Sequence, residues 1–243
     1  MHYVLSDIHG DCAAFETILA MIDLHSEDQL YVIGDVIDRG QDGIAILQRI
    51  REMPNATLLL GNHEYMMINA LRHPEDNWAA YQWYRNGCDD TVRRYYELDR
   101  REREDLLLCL EALPIRLQVR VEERQFILVH AAPTELYEAG RWKDATEFAM
   151  WARIPLMAPP SFKGSTILIG HTPTGYVQRA DWPNMRIAHG DGVIDLDCGC
   201  IFSDSGGQLC CLRLEDGTEV YSREGAVSVR EAAEWKARYV QPR

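Results

Sequence analysis

The chain has 243 residues, of which 47% are hydrophobic, and this is sufficient for a sizeable buried core. The 25 basic and 38 acidic residues give a formal net charge of −13, which argues against a general binder of nucleic acid or of anionic membranes but permits a local cationic pocket. We expect one domain over residues 1–243, with residues 72–112 as a helical insertion or cap.

The N-terminal residues lead directly into a predicted strand. Met1–Leu5 has neither the basic stretch nor the long apolar stretch of a signal peptide, and no apolar run is long enough to span a bilayer. We therefore predict a cytoplasmic protein. The seven cysteines, an odd number in a chain without an export signal, indicate reduced thiols, and Cys198-Gly199-Cys200 and Cys210-Cys211 lack the spacing of structural zinc sites.

The first 70 or so residues alternate strand and helix patterns. Apolar residues recur at helical spacing in residues 15–22 and 44–50. A repeated strand, loop and helix predicts parallel strands with crossover helices, whose carboxyl ends meet at one edge of a sheet. Three apolar runs of strand length each end at a polar loop: Tyr3–Leu5, Leu30–Ile33 and Thr57–Leu60.

Residues 72–112 have a different character and are predicted to be helical. The run from Arg93 to Glu111 alternates in sign, which is typical of a solvated helix face. An aromatic cluster precedes it, for which we predict a small satellite core, with contact to a substrate as the alternative. Its members are Trp78, Tyr81, Trp83 and Tyr84.

The β pattern returns at Ile115. Ile115–Val121 and Gln125–Val129 predict a hairpin that places His130 at a strand end, and Thr166–Ile169 similarly precedes His171. The prolines between Pro155 and Pro160 predict a loop. A polar loop region at Tyr176–His189, three antiparallel strands of a second, mixed sheet and a terminal helix complete the chain. The strands are Ile194–Asp197, Gln208–Leu214 and Glu219–Tyr221, and the helix is Ala226–Tyr239.

One loop offers two carboxylates and a guanidinium between two glycines. In Gly34–Gly40, Asp35 and Asp38 can supply oxygen ligands or orienting acceptors, and Arg39 can bind a phosphate with its fork of donors. Such a loop alone is usually only a solvated turn. Its significance comes from similar polar loops after other apolar runs: Ser6–Gly10, Gly61–Glu64, Val129–Ala131 and Gly170–Thr172.

These loops together provide a ligand set for two cations. Carboxylate, imidazole and amide groups without thiolate suit manganese, iron or zinc rather than copper, and Asp35 is the natural bridge. Two metals about 3.5–4 Å apart can clamp the attacking and leaving oxygens of an in-line displacement and turn water into hydroxide. The set is Asp7, His9, Asp35, Asn62, His63, His130 and His171.

The same residues resemble the motifs of the phosphoprotein-phosphatase branch of the metallophosphoesterases. The likeness to bacterial and phage serine/threonine phosphatases of the lambda type spans roughly residues 3–214, and it implies an α/β calcineurin-like fold in which helices flank a two-sheet β-sandwich. The motifs are Asp7-Ile8-His9, Gly34–Gly40, Gly61–Glu64, Val129-His130 and Gly170-His171.

The resemblance implies two divalent metal ions, taken as manganese with iron or zinc as alternatives. It assigns Asp7, His9, Asp35 and His171 to one metal, and Asp35, Asn62, His130 and His171 to the other.

The resemblance also implies roles for four further residues. His63 would be the general acid, Asp38 would orient its ring, and Arg39 and Arg153 would grip the phosphoryl oxygens, which agrees with the chemistry of these groups. The implied function is hydrolysis of phosphomonoesters by a metal-bridging hydroxide, as in a serine/threonine protein phosphatase. The implied partner is a phosphorylated protein or peptide or a small phosphate ester, with no nucleic acid or membrane; the oligomeric state is not predicted.

Leu60 departs from the protein-phosphatase pattern, which usually has arginine there. Leu60–His63 and the cysteine-containing end are similar to symmetric diadenosine tetraphosphate hydrolases, which are therefore the alternative. Gly170–Pro173 and Trp151–Arg153 favour the protein phosphatases. A metal-bearing binding scaffold without activity is a third hypothesis, which the presence of the acid and its carboxylate disfavours.

Overall fold

The computed structural model describes residues 1–159, 162–176 and 184–227. Within them, the strands are β1 His2–Leu5, β2 Gln29–Val32, β3 Ala56–Leu58, β4 Arg116–Val121, β5 Arg124–Val129, β6 Ser165–Ile169, β7 Ala188–His189, β8 Val193–Asp195, β9 Cys210–Arg213, β10 Glu219–Tyr221 and β11 Gly225–Val227. The α-helices are α1 Cys12–Ile22, α2 Gly43–Glu52, α3 Asn62–Arg72, α4 Asn77–Arg85, α5 Asp89–Glu97, α6 Arg100–Glu111 and α7 Ala145–Trp151.

The first sheet has six strands in the order β11-β10-β9-β1-β2-β3. β1, β2 and β3 run parallel, as the repeated strand-helix pattern predicts. β9 pairs antiparallel with β1, with Val4 opposite Leu212, so the prediction that β9 and β10 belong to the second sheet is wrong. Burial on both faces of β9 identifies an interior strand, but it does not reveal which sheet the strand joins.

The second sheet has five strands in the order β4-β5-β6-β8-β7. β4 and β5 form the predicted hairpin, and β6 is parallel to β5. β8 is also parallel to β6, with Leu168 opposite Ile194, and is antiparallel only to the short β7. The prediction of antiparallel pairing for residues 194–197 is therefore wrong for the pairing of β8 with β6, which is the longer one, and right for the pairing of β8 with β7.

The two sheets face each other across an apolar layer, and helices cover the outer face of the first sheet. Alternation along β1 directs Val4 into the layer between the sheets, and Tyr3 and Leu5 towards α1 and α2. Phe15 of α1 and Leu47 of α2 are fully buried against that outer face. This arrangement confirms the predicted α/β sandwich flanked by helices. The layer between the sheets includes Val4, Ile33, Leu59, Leu128, Leu168 and Leu196.

The predicted helical region contains three short helices, α4, α5 and α6. Its charge run is solvated as predicted, with exposed ion pairs such as Arg93 with Asp90. The predicted aromatic satellite core is wrong. Trp83 is 4% exposed within the main core, whereas Trp78, Tyr81 and Tyr84 are between 51% and 67% exposed. The reason is that α4 buries one stripe, formed by Ala79 and Trp83 one turn apart.

The remaining predictions concern the ends and the loops. The loop after Pro155 is confirmed as far as the described residues extend, and the cysteines are free thiols. Ala226 and Val227 belong to β11 rather than to the predicted terminal helix. The other residues of that predicted helix, and residues 177–183 of the predicted polar loop, lie outside the described part of the chain. Among the described residues, no helix is both long and apolar enough to cross a bilayer. The single-domain organisation stays a prediction.

Candidate active site

The polar loops at the ends of the strands have an unusual backbone conformation. Eight described non-glycine residues have positive φ angles, and six of them are candidate site residues. Such conformations cost about 1–3 kcal/mol each and persist where surrounding structure enforces them, often at functional sites. The six are Asp7 (52°), His9 (48°), Asp35 (54°), Asp38 (68°), Arg39 (67°) and His171 (69°).

Glu64 holds two of these loops together, a role that the sequence analysis missed. Its fully buried carboxylate accepts backbone N–H bonds from Asp35, Val36 and Ile37 of one loop and from Gly61 of the other, at 2.8–3.2 Å. Glu64 is the third residue of α3, and its carboxylate accepts the N–H of Gly61 just before that helix, so its position three residues after Gly61 was an available signal. The clamp fixes Asp35 relative to Asn62, the first residue of α3.

Asp35 lies at the centre of the predicted ligand set. Its Oδ2 is 3.7 Å from His9 Nε2, 3.9 Å from His63 Nε2 and 3.5 Å from His130 Nε2. Its other oxygen accepts the backbone N–H of His63 at 3.0 Å. The structure therefore gathers these groups from three separate loops around one carboxylate.

Asn62 and Asp7 complete the cluster on either side of Asp35. Asn62 Oδ1 is 2.8 Å from both His130 Nε2 and His171 Nδ1. Asp7 Oδ1 is 3.9 Å from His9 Nε2, and the Asp7 carboxylate accepts the backbone N–H of His171 at 3.1 Å. All seven residues of the predicted ligand set thus lie at one place.

Backbone carbonyls orient two of the imidazoles. His9 Nδ1 is 3.0 Å from the carbonyl oxygen of Ile37, and His130 Nδ1 is 2.9 Å from that of Ile33. A carbonyl oxygen only accepts hydrogen bonds, so each Nδ1 carries the proton and each Nε2 presents a lone pair on the side of Asp35; His9 Nε2 accepts from Arg39 Nη1 at 3.0 Å. This tautomer leaves Nε2 able to bind a metal ion.

The donor set fits a pair of divalent cations. Two groups of possible ligand atoms, each within 4.8 Å of one another, share Asp35: one adds His9 and His63, and the other adds His130 and His171. Burial raises the pKa of Asp35 well above its usual value, and the nearby Asp7 and Glu64 carboxylates raise it further. Burial also lowers the pKa of His171 to about 2. Cations would relieve the repulsion between the carboxylates and bind the neutral imidazoles.

His63 has a different environment from the other imidazoles. Its Nδ1 is 2.7 Å from Asp38 Oδ2, and its Nε2 is 3.1 Å from Arg39 Nη2. Burial raises the pKa of Asp38 to about 7, and burial together with the Arg39 guanidinium lowers the pKa of His63 well below its usual value. An imidazole backed by a carboxyl group is suited to transferring a proton.

A cleft of about 630 Å³ opens over this cluster. Asp35, Asn62 and His171 line it, together with Arg39 and Arg153. Both predicted phosphate-binding arginines are exposed, and the Arg153 guanidinium lies 5.9 Å from the centre of the Tyr176 ring. Other residues that line the cleft lie on loops and helix ends far apart in sequence, and none of them was predicted as a site residue: Arg141, Trp142, Trp151, Tyr176 and Phe202.

Leu60 does not line the cleft. It is 7% exposed and packs with Ala149 and Met150 of α7 in a small apolar cluster. An arginine at position 60 would therefore have to place its charge among apolar side chains or displace α7.

Comparison with known proteins identifies the family. A model of the calcineurin-like phosphoesterases matches residues 3–198. The chain belongs to the calcineurin-like phosphoesterase family. This confirms the predicted superfamily and agrees with the dimetal centre inferred from the donor set, because members of the family use two metal ions.

Two relatives of this calcineurin-like phosphoesterase are named for different activities. It is 29% identical to serine/threonine-protein phosphatase 2 of Salmonella typhimurium in an alignment of 184 positions that covers 72% of this chain and 80% of that protein. It is 28% identical to the symmetrical bis(5'-nucleosyl)-tetraphosphatase of Acidovorax sp. (strain JS42). That alignment has 280 positions and covers 91% of this chain and 94% of that protein. The first relative supports the predicted phosphoprotein-phosphatase branch.

The fold of this phosphoesterase also occurs in a solved structure. A metallophosphoesterase from Sphaerobacter thermophilus matches with a TM-score of 0.52 and 18% identity, covering 97% of this chain and 91% of that one. This likeness concerns the fold. Membership of the calcineurin-like phosphoesterase family makes the chain a hydrolase of phosphoesters, and the family includes enzymes with different substrates.

Proposed function

We propose that the protein is a dimetal phosphomonoesterase that acts on phosphoserine or phosphothreonine in proteins or peptides and on small phosphate esters. The observation that supports this most is the position of Asp35, which belongs to both groups of possible ligands and lies 3.9 Å from His63. The Salmonella relative named as a serine/threonine-protein phosphatase agrees with it. We propose manganese as the metal, with iron or zinc as alternatives, and a cytoplasmic location stays a prediction.

We propose that Asp35 is the shared ligand of two cations. The first would be bound by Asp7, His9 and Asp35, and the second by Asp35, Asn62, His130 and His171. His171 would contribute its ring to the second site and support the first through its backbone N–H bond to Asp7. When bound, the cations supply Lewis-acid stabilisation of the charge on the phosphoryl oxygens.

His63 is the proposed general acid, with Asp38 as its orienting carboxyl group. Nε2 of His63 faces Arg39, so a phosphoryl group held by Arg39 lies beside the imidazole. The positive charge of Arg39 is one cause of the low His63 pKa. A bound phosphate dianion offsets that charge and therefore favours the protonated imidazole, which can give its proton to the leaving oxygen.

Two predicted arginines and one further arginine can hold the phosphate. Arg39 and Arg153 line the cleft as predicted. Arg141 lines it too, with its guanidinium 5.6 Å from the centre of the Trp142 ring. Since Leu60 packs away from the cleft, Arg141 is our candidate for a third guanidinium contact with substrate.

A second candidate function is hydrolysis of dinucleoside polyphosphates. The observation that favours it is the aromatic lining of the cleft, because aromatic side chains can stack on nucleobases. The Acidovorax relative has this activity in its name. The aromatic residues are Trp142, Trp151, Tyr176 and Phe202.

One comparison of substrates tests these proposals. Protein supplied with Mn²⁺ is assayed on p-nitrophenyl phosphate, a phosphothreonine peptide and diadenosine tetraphosphate. We expect hydrolysis of both monoesters, with the higher kcat/KM on the peptide than on the dinucleotide. Cleavage of the dinucleotide with a much higher kcat/KM would replace the first proposal by the second. No turnover of any substrate by metal-loaded protein would favour a binding scaffold.

A further inference from the structure

Helices α4 and α5 and the turn between them contact the loop that contains Asp38 and Arg39 at three points. Trp83 Nε1 donates to Asp38 Oδ2 at 2.9 Å, the Asp38 backbone N–H donates to Thr91 Oγ1 at 3.0 Å, and the Arg39 N–H donates to the carbonyl of Gly87 at 2.8 Å. Asp38 and Arg39 are two consecutive left-handed residues, which the local sequence does not favour. The three bonds stabilise this conformation from outside the loop.

The carboxyl group of Asp38 is held asymmetrically. Its Oδ2 is the partner of both Trp83 Nε1 and His63 Nδ1, whereas its Oδ1 is buried and has no hydrogen-bond partner among the described residues. Asp38 and His63 are fully buried, and Trp83 is 4% exposed. Turning the carboxyl group out of its plane would break two bonds at once, so the indole helps to fix the plane in which the carboxyl group faces the imidazole.

Packing alone does not explain a tryptophan at this position. The other aromatic residues of α4 are exposed, and only Trp83 places its ring in the core. A phenylalanine would also be apolar, but it has no N–H to donate. A buried indole N–H needs an acceptor, and here the acceptor is the carboxyl group that contacts the proposed acid.

We propose that Trp83 is a positioning residue of the hydrolase. By donating its indole N–H to Asp38, it holds the carboxyl group in the orientation that keeps His63 Nε2 directed at the leaving oxygen. This inference rests on the proposed function, in which the oxygen of a water molecule bonds to phosphorus, the P–O bond of the ester breaks and the proton of His63 passes to the oxygen that leaves. The helical region, through Trp83, therefore takes part in acid catalysis.

Trp83→Phe tests the role because it keeps an aromatic ring and removes the donor. The readout is the ratio of kcat/KM values for phenyl phosphate and p-nitrophenyl phosphate with Mn²⁺ present, since phenolate is the poorer leaving group and depends more on protonation. We expect the ratio to fall about ten-fold or more, mainly through kcat on phenyl phosphate, because acid catalysis is worth about 10²–10⁴-fold and the variant weakens it. The ratio does not depend on the fraction of folded protein.

Two further variants complete the test. Trp78→Phe, on an exposed residue of the same helix, is the matched control and should leave the ratio unchanged. Asp38→Asn combined with Trp83→Phe should be no worse on phenyl phosphate than Asp38→Asn alone, because Trp83 acts through Asp38.

Three results separate the possible failures. Equal losses on both esters, or additive losses in the double variant, would show that Trp83 is merely structural. Wild-type kcat/KM on both esters in Trp83→Phe would reject this inference and leave the proposed function intact. A wild type that hydrolyses neither ester would reject the proposed function itself.

Discussion

Replacing Glu64 by glutamine should damage both stability and metal binding. One carboxylate oxygen accepts from Val36 and Ile37, and the other accepts from Asp35 and Gly61. Glutamine has nearly the same size but only one acceptor oxygen. Whichever way the amide turns, two backbone N–H donors face an NH₂ group that is itself a donor.

The magnitude follows from those two lost bonds. A hydrogen bond to a charged group is worth about 1.5–3 kcal/mol, so the loss is about 3–6 kcal/mol. Burial raises the pKa of Glu64, which means that the buried charge has a cost that the neutral amide avoids. We therefore expect a net destabilisation of about 2–4 kcal/mol and, because Asp35 and Asn62 lose their fixed relative position, a fall in Mn²⁺ affinity of about ten-fold or more.

Urea unfolding of metal-free protein and calorimetric titration with Mn²⁺ measure the two effects. Glu123→Gln is the matched control, because the Glu123 side chain is 92% exposed and its ion pair with Arg120 lies at the surface. The control should change the free energy of unfolding by less than about 0.5 kcal/mol. A Glu64→Gln protein with the stability and Mn²⁺ affinity of the wild type would refute the clamp.

Three other substitutions test the site. Asp35→Asn should lose tight binding of both cations and turnover, and metal analysis that finds two tightly bound cations with near-normal turnover would show that Asp35 is not the bridge. His63→Asn should keep the metals and lose about 10²–10⁴-fold on a phosphothreonine peptide but far less on p-nitrophenyl phosphate, so equal losses would count against acid catalysis. Leu60→Arg should lower the free energy of unfolding by about 3 kcal/mol or more, because it places a charge in an apolar cluster, and it should not improve monoester hydrolysis. An improved kcat/KM on monoesters would contradict that packing.

The sequence was informative where local patterns determine the structure. The ends of β1, β2 and β3 were predictable because each apolar run stops at a polar loop, and parallel strands bring such loops to one edge. The membership of β9 in the first sheet was not predictable, because its pairing with β1 joins residues more than 200 positions apart, such as Val4 and Leu212. Residue patterns do not encode which free edge a distant strand will meet.

The supporting residues of the site were the hardest to predict. Glu64 acts through backbone N–H groups of a loop about one crossover unit away, and backbone donors have no sequence signature. Trp83 was assigned to an aromatic cluster by its neighbours in sequence, whereas its actual neighbour is Asp38. Leu60 could be recognised as unusual, but the direction of its side chain depends on how α7 packs against α3.

The central claim is that two cations bridged by Asp35 are needed for hydrolysis of phosphate esters. Its most direct test is to titrate metal-free protein with Mn²⁺ and to measure bound metal and p-nitrophenyl phosphate turnover in the same samples. We expect no turnover without metal and maximal turnover at two bound cations per chain. Full turnover with one cation or none, or no turnover with two cations bound, would contradict the claim.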